Sequence, residues 1–274
     1  MICIDVEYRR WKWCPWKSRL RGWAPTKWHE MDERQYLAVA KAACGELDEQ
    51  TYLAEIFGIP RRMVAYLSQW HVYMLTKQIR WIGSGKAEAS RFFICKICGL
   101  QAPDNALGGM TLQQFMTVDT FFADYLLTVS DKNPYGDNDK LCRMVAALYM
   151  RDNEAYYVAD NANKLMFKPR MKVVDIEGNA KMLEGKATRP ELWGIFMNWT
   201  MIKNWLSKAY PLLFPRGDET DGREMPKKRG NVWLDIFDSF VGDDIAHMDA
   251  YRTMNCLDAF RIMHKRIKEA QKIQ

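Results

Sequence analysis

The stretch from Gly108 to Met150 constrains the fold of this chain more than any other feature of its sequence. Its first part is amphipathic and rich in aromatic residues, and its second part is an apolar segment that ends in Leu148 and Tyr149. A polar loop separates the two parts, as expected for two helices that bury their apolar sides in one domain. The stretch holds no cluster of acids, histidines or thiols suited to catalysis. The same holds for most of the chain, so the sequence predicts a mainly helical domain without indicating its chemistry.

Capping and stop signals divide the rest of the chain into further helices. Asp32 and Gln35 have the spacing of a capping box, as do Thr111 and Gln114. Helices are predicted over about residues 33–44, 49–57, 61–81 with a break near Ser68, 112–130, 139–149, 155–166, 178–184, 191–209, 232–241 and 250–272. Arg91–Ile97 is rich in β-branched and aromatic residues and predicts a strand. The predicted fold class is mainly α, with small β elements in the N-terminal arm and around 91–97, and with a C-terminal helical segment.

Composition shifts divide the 274 residues into four parts. They are a basic, aromatic N-terminal arm at 1–28, a main helical domain at 29–210, a linker at 211–230 with three prolines and three glycines, and a C-terminal helical segment at 231–274. The longest apolar run, Met144–Met150, is far shorter than the ~20 residues that span a bilayer. The seven cysteines are scattered and odd in number, and the start of the chain does not resemble a leader. We therefore expect free buried thiols and a cytoplasmic protein.

The excess of positive charge lies almost entirely in the N-terminal arm. The chain has a formal net charge of +6, and residues 1–28 carry seven Lys or Arg against two acids. The candidate binding residues of this arm are Arg9, Arg10, Trp11, Trp13, Arg19 and Arg21. A protein can bind single-stranded nucleic acid by placing its cations next to the phosphates and stacking its aromatic rings on the bases. The alternative is an arm that docks on protein through cation–π contacts, and both interpretations stay open.

Two groups of residues resemble parts of metal sites, and neither pattern is complete. Cys95 and Cys98 form one Cys-x-x-Cys pair, whereas a structural zinc site needs four ligands and the chain has no second pair. We interpret these thiols as filling the core. Asp243, Asp244 and Asp249 follow the expected end of a helix, and we interpret them as helix caps rather than cation ligands. We therefore expect no metal, no cofactor and no enzyme activity, and these acids are the first place to look for a site assembled in space.

Four segments together carry a resemblance to a known group of proteins. They are MDERQYLAVAK at 31–41, GGMTLQQFMTVDTFFADYL at 108–126, LCRMVAALYM at 141–150 and WLDIFDSFVGDDIAHMDAYRTMNCLDAFRIMHKRIK at 233–268. In this order they resemble proteins encoded in the tail region of phages and prophages of the Bacteroides group. The resemblance implies a tail-assembly or tail-associated protein, such as a chaperone of the tape-measure protein. It implies a location in the cytoplasm of the bacterial host or in the virion, and it transfers no functional residue to this chain.

Such a role agrees with the high content of 17 Met and 11 Trp. Met side chains adapt to partners of varied sequence, and a long amphipathic helix such as a tape-measure protein needs its apolar face covered before assembly. We expect a non-enzymatic factor that binds such a helix in an apolar groove and uses its terminal helix as a docking segment. The predicted docking residues are Tyr251, Met254, Leu257 and Phe260. The alternatives are a structural virion component that forms oligomers, a nucleic-acid-binding protein, and an enzyme; no membrane partner is expected.

Overall fold

The structure is a computed structural model of the chain, and it describes residues 1–9, 16–84, 87–156, 172–215 and 232–272. Within these ranges the chain forms eleven α-helices and three two-stranded sheets, which confirms a mainly α fold with small β elements. The strands are β1 (Ile2–Tyr8), β2 (Ser18–Ala24), β3 (Lys96–Ile97), β4 (Leu100–Gln101), β5 (Glu154–Ala155) and β6 (Lys172–Val173). The helices are α1 (Glu33–Ala43), α2 (Glu49–Phe57), α3 (Arg61–Val64), α4 (Gln69–Ile79), α5 (Leu112–Leu126), α6 (Asn138–Leu148), α7 (Ile176–Lys186), α8 (Arg189–Ala209), α9 (Val232–Val241), α10 (Met248–Thr253) and α11 (Cys256–Ala270).

The chain divides into two compact units, and the division falls within α8. The first unit comprises residues 1–89 and 188–201, and the second comprises 90–187 and 202–274. The predicted linker at 211–230 lies mostly outside the described residues, and the predicted domain boundaries stay predictions. In the described part of the chain, no helix combines the length and the apolar character needed to cross a membrane.

Most of the predicted N-terminal arm that the structure describes is an antiparallel hairpin of β1 and β2, in which Asp5 lies opposite Arg21. Alternate residues of both strands are buried, as expected for a small sheet with one face on a core. A Cβ atom at Gly22 would come within 2.7 Å of the Phe57 backbone oxygen. Glycine at this position therefore lets β2 approach the end of α2 closely.

The capping box predicted for α1 is present, and its Gln35 side chain also bonds within the core of the first unit. The Asp32 carboxylate accepts from the Gln35 backbone N–H at 2.8 Å, and the Gln35 side-chain oxygen accepts from the Asp32 backbone N–H at 3.1 Å. The Gln35 amide nitrogen also donates to the Ile56 backbone oxygen in α2 at 2.7 Å. The fully buried Tyr36 donates its hydroxyl to the Gly194 backbone oxygen at 2.8 Å. These bonds join α1 to α2 and to the first part of α8.

The second unit is built on α5 and α6, the helices predicted from the stretch between Gly108 and Met150. Thr111 caps α5 by accepting from the Gln114 backbone N–H at 3.1 Å. The Gln114 amide nitrogen then donates to the Leu148 backbone oxygen at 3.1 Å, which joins the start of α5 to the end of α6. Helix α6 packs on α7 as well as on α5. The local signal that starts α5 therefore also fixes how the two helices pair.

The strand expected over 91–97 is shorter than predicted, whereas the helix expected over 61–81 is broken where predicted. The strand expected over 91–97 is limited to β3, because the consecutive residues Phe92, Phe93 and Ile94 are all buried instead of alternating between two faces. Positive φ angles at Cys98 (48°) and Gly99 (84°) then turn the chain into β4. The helix expected over 61–81 is interrupted near Ser68, as predicted, and the Ser68 side chain caps α4.

Other boundaries differ near the C-terminal half. Helix α6 is capped by Asp137 rather than by Asp139. The helix expected over 250–272 is divided into α10 and α11. The helix expected over 155–166 falls mostly outside the described residues, and its first residue belongs to β5.

Candidate functional site

A groove of about 410 Å³ runs between α5 and α9 in the second unit. Its described lining consists of Gln113, Met116, Thr117 and Thr120 from α5, Trp233, Leu234 and Phe237 from α9, and Tyr156 and Arg252 at its margins. The four α5 residues follow the spacing of a single helix face. Leu234 is 51% exposed, so the groove is open to solvent.

Hydrogen bonding within α5 lowers the polarity of this wall of the groove. Thr117 donates its hydroxyl to the Gln113 backbone oxygen at 2.8 Å, and Thr120 donates to the Met116 backbone oxygen at 2.8 Å. Because both hydroxyl protons are used inside the helix, these threonines offer a ligand mainly their methyl groups. Met116 adds a flexible thioether to the same wall.

Asp119 holds α9 against α5 beside this wall. Its carboxylate accepts from the Trp233 indole N–H at 2.8 Å and forms an ion pair with the Lys203 ammonium of α8 at 2.5 Å. The Asp119 side chain is 13% exposed, so both interactions are largely shielded from water. The Lys203 ammonium also lies 5.0 Å from the centre of the Phe122 ring. This network fixes the separation of α5 and α9.

A cluster of aromatic rings supports the groove from the interior. The Phe115 ring centre lies 5.3 Å from that of Trp233, 5.9 Å from that of Phe214 and 4.8 Å from that of Phe260. The three pairs are edge-to-face, the geometry that aromatic quadrupoles favour. Trp233 belongs both to this cluster and to the groove lining, so one side of the groove is rigidly supported.

The chemistry of the described lining suits binding. Its charged side chain is Arg252, whose guanidinium lies 5.7 Å from the Phe237 ring centre and 3.6 Å from the Asp249 carboxylate. Burial raises the pKa of Tyr156 well above its usual value, which keeps its hydroxyl protonated as a donor to the Ala147 backbone oxygen. The described lining thus combines a mostly apolar surface with one cation and few free polar groups.

The predicted docking residues do not form one stripe, because the chain breaks between α10 and α11. Phe260 is fully buried in the aromatic cluster and does not reach the surface. Tyr251, Met254 and Leu257 are half-buried, and Tyr251 donates its hydroxyl to Asp244 at 3.0 Å. For these three residues, a docking role stays a prediction.

The structure describes Arg9, Arg19 and Arg21 among the candidate residues of the N-terminal arm, whereas Arg10, Trp11 and Trp13 lie outside the described residues. All three described arginines are exposed, and two face acids across the hairpin. Arg21 lies 3.3 Å from Asp5, and Arg19 lies 3.4 Å from Glu7. Lys17, at 3.0 Å from the Glu7 carboxylate, is the main cause of the lowered pKa of that group. These pairs use both acids of residues 1–28, so the arm keeps the excess of positive charge that the sequence gives it.

The expectation of buried thiols is confirmed for two cysteines and wrong for others. Cys142 and Cys256 are buried, and burial raises the pKa of their thiols to about 11 and about 12, so both stay protonated and unreactive at neutral pH. Cys3 and Cys95 are exposed and Cys98 is half-buried, so the Cys-x-x-Cys pair does not fill the core. The pair is at the surface because the turn into β4 begins at Cys98.

Of the acids after α9, Asp244 occupies the N-cap position of a 3-10 helix at Ile245–His247, as predicted, but its side chain accepts no backbone N–H there. The Asp244 carboxylate contacts His247 Nδ1 at 2.6 Å, and this bond is the main cause of the lowered pKa of Asp244. Asp249 lies in the first turn of α10 instead of capping it. Among the described residues, no three His, Cys, Asp or Glu side chains gather as metal ligands would.

Sequence reasoning missed the groove because its two walls lie far apart in the chain. The spacing of Gln113, Met116 and Thr120 marks one face of α5, but nothing local indicates that α9 lies beside it. The one feature of the sequence that indicates a binding surface is a face of α5 whose residues are neither strongly polar nor fully apolar. Comparisons with protein-family models, with curated proteins and with solved structures find no match.

Proposed function

We propose that this protein is a non-enzymatic binding factor whose groove between α5 and α9 accepts the apolar face of a helical partner. The groove itself carries the proposal. Its lining is mostly apolar, it is open along Leu234, and its described residues include a single charge. Helix-in-groove recognition uses such a surface, with anchor residues at i, i+3 or i+4 and i+7 entering from one side.

The groove also combines a fixed and an adaptable side, which suits partners of varied sequence. Trp233 is held by Asp119 and by the aromatic cluster, whereas Met116 and Leu234 have flexible side chains. Aromatic residues supply most of the contact energy in many interfaces, and methionine adjusts to the shape of the partner.

We further propose that the partner is a phage tail protein, with the tape-measure protein as the first candidate, and that this chain acts in tail assembly. The sequence resemblance supports this part of the proposal. A long amphipathic helix exposes apolar surface before assembly, and a groove of this kind would cover part of it. A structural component of the virion is the alternative, and it differs in being retained in mature particles.

Affinity purification of the tagged chain from cells that produce the tail proteins tests the proposal. We expect the tape-measure protein to be recovered by the wild type. Thr120→Arg and Leu234→Lys place a long charged side chain in the groove at exposed positions, and each should reduce recovery by about tenfold, or about 1.4 kcal/mol.

Leu127→Lys is the matched control, because Leu127 is 75% exposed and is not part of the groove lining. It should leave recovery unchanged. Failure to recover the tape-measure protein, or equal recovery by the groove variants and the control, would contradict the proposal. Mass spectrometry of purified virions separates an assembly factor, which is absent from them, from a structural component.

A further inference from the structure

The hairpin of the first unit has an open edge along β1. In a two-stranded sheet, alternate residues of each strand direct their backbone N–H and C=O groups away from the other strand. Among the described residues, the only hydrogen bond to the β1 backbone from outside the ladder is a long contact from the Cys3 thiol to the Ile4 oxygen, at 3.8 Å. About half of the backbone groups of this seven-residue strand therefore have no partner in the part of the chain that the structure describes.

A cleft of about 260 Å³ lies beside this edge. Residues 3–6 of β1 line one side, and His71, Met74 and Gln78 of α4 line the other. The Gln78 side-chain oxygen is shielded from solvent and accepts no hydrogen bond from any described residue. A buried acceptor without a donor typically costs about 1–3 kcal/mol. Rotation of this amide would present its oxygen to the cleft, where an N–H group of a ligand would remove this cost.

We propose that the β1 edge and this cleft bind an extended segment of another protein, which adds a third strand to the hairpin. An extended chain has free backbone N–H and C=O groups at the spacing of a strand, whereas a helix uses its own internally. This surface lies in the first unit, so binding here does not depend on the groove between α5 and α9.

The charges along β1 indicate the sequence of that segment. Asp5 and Glu7 lie on the outer face of the strand, with side chains 43% and 44% exposed. Their ion pairs with β2 are exposed and hence weak, and the acids lie on the edge strand whereas Arg19 and Arg21 lie on the strand behind it, so an added strand meets the carboxylates first. On the opposite face, Ile4 is buried, and Met74 offers an apolar contact from α4. The segment should therefore alternate basic and apolar residues.

A second copy of this chain fits the edge poorly. Antiparallel pairing of two β1 strands centred on Asp5 would place this carboxylate opposite its own copy. Pairing centred on Val6 would place Asp5 opposite Glu7 of the second copy. Like charges directly opposite each other destabilise a strand pair, so the acids favour a different, basic partner.

A seven-residue capped peptide that alternates lysine and valine is the probe, since its length equals that of β1. Two further peptides carry N-methyl groups on one or the other set of alternate residues. An added strand forms backbone hydrogen bonds to β1 through alternate residues only. The peptide methylated at those residues should bind at least about tenfold more weakly than the parent peptide, and the peptide methylated at the other residues should bind within about twofold of it. Fluorescence anisotropy with the full chain measures the affinities, and NMR should show amide shifts in β1 and α4.

Two variants identify the groups involved. Asp5→Asn combined with Glu7→Gln should weaken binding about tenfold, and Gln78→Ala should weaken it several-fold. Lys77→Ala, at an exposed position on α4 outside the cleft, should have no effect. Equal binding by the two methylated peptides, NMR shifts confined to residues outside β1 and α4, or no saturation below about 1 mM would overturn the proposal.

Discussion

Asp119 connects three helices through its two carboxylate oxygens. One oxygen accepts from the Trp233 indole of α9, and the other pairs with Lys203 of α8, while the residue itself lies in α5. The Asp119 side chain is little exposed, so water compensates poorly when its interaction with Trp233 or with Lys203 is lost. Because Trp233 lines the groove, the same carboxylate contributes to stability and to the shape of the binding surface.

Asp119→Ala should lower the free energy of unfolding by about 2 kcal/mol, because it leaves the Trp233 N–H and the Lys203 ammonium without their shared partner. Asp119→Asn retains an acceptor and should lose less. Urea denaturation measures both values. Asp124→Ala, at an exposed position of the same helix, should stay within about 0.5 kcal/mol of the wild type. An equal effect of the Asp119 and Asp124 variants would show that the network does not stabilise the fold.

At the scale of elements, the break between α10 and α11 is fixed by contacts distant in sequence. The Leu112 backbone N–H donates to the Met254 oxygen at 2.9 Å, and the Cys256 N–H donates to the Met110 oxygen at 2.9 Å. Asn255 then caps α11 by accepting from the Leu257 N–H at 2.9 Å. The start of α5 thereby holds the two helices apart, which is why the docking stripe predicted on one continuous helix does not form.

Asn255→Ala should destabilise the protein by about 1 kcal/mol, since it removes the cap of α11, and Asn255→Asp should be nearly neutral because aspartate caps equally well. Thermal unfolding followed by circular dichroism measures both. Lys268→Ala on the exposed face of α11 is the control and should not change the midpoint. If alanine and aspartate at this position behave alike, the cap does not stabilise α11.

The elements that sequence predicted well are those with a complete local signal. Asp32 and Thr111 cap the helices expected from their spacing, and the break at Ser68 follows from its own cap. The division at Asn255 depends on a chain segment far away in the sequence, and so could not be predicted from a local pattern. The groove could not be predicted from a local pattern either. Its walls come from α5 and α9, and the residues between these two helices along the chain amount to more than half of the second unit.

At the scale of the molecule, folding brings the two acids of the N-terminal arm next to three of its seven cations. The formal net charge is +6, and most of the excess lies within residues 1–28. In the hairpin, Asp5 faces Arg21, and Glu7 faces Arg19 and Lys17. Three cations and two acids leave a net charge of +1 on this face, so most of the arm's excess belongs to Arg9, Arg10, Lys12 and Lys27.

Neutralising both acids of the hairpin therefore tests whether they limit nucleic-acid binding. Asp5→Asn with Glu7→Gln raises the net charge by two and frees Lys17, Arg19 and Arg21 beside the exposed Trp23. Affinity for a single-stranded oligonucleotide should rise about tenfold at low salt, and the logarithmic salt dependence should steepen by up to about two. Exposed pairs contribute little stability, so the variant should fold as the wild type does.

The control for this charge change is Asp258→Asn with Glu269→Gln. Both acids form exposed ion pairs on α11, with Arg261 and Lys265, and their removal changes the net charge equally. Fluorescence anisotropy across a salt series compares the two double variants. A larger gain for the hairpin variant would locate binding on β2, because only there do the freed cations lie next to an exposed indole. An equal gain would mean that binding follows net charge alone, and the hairpin would then have no special affinity for nucleic acid.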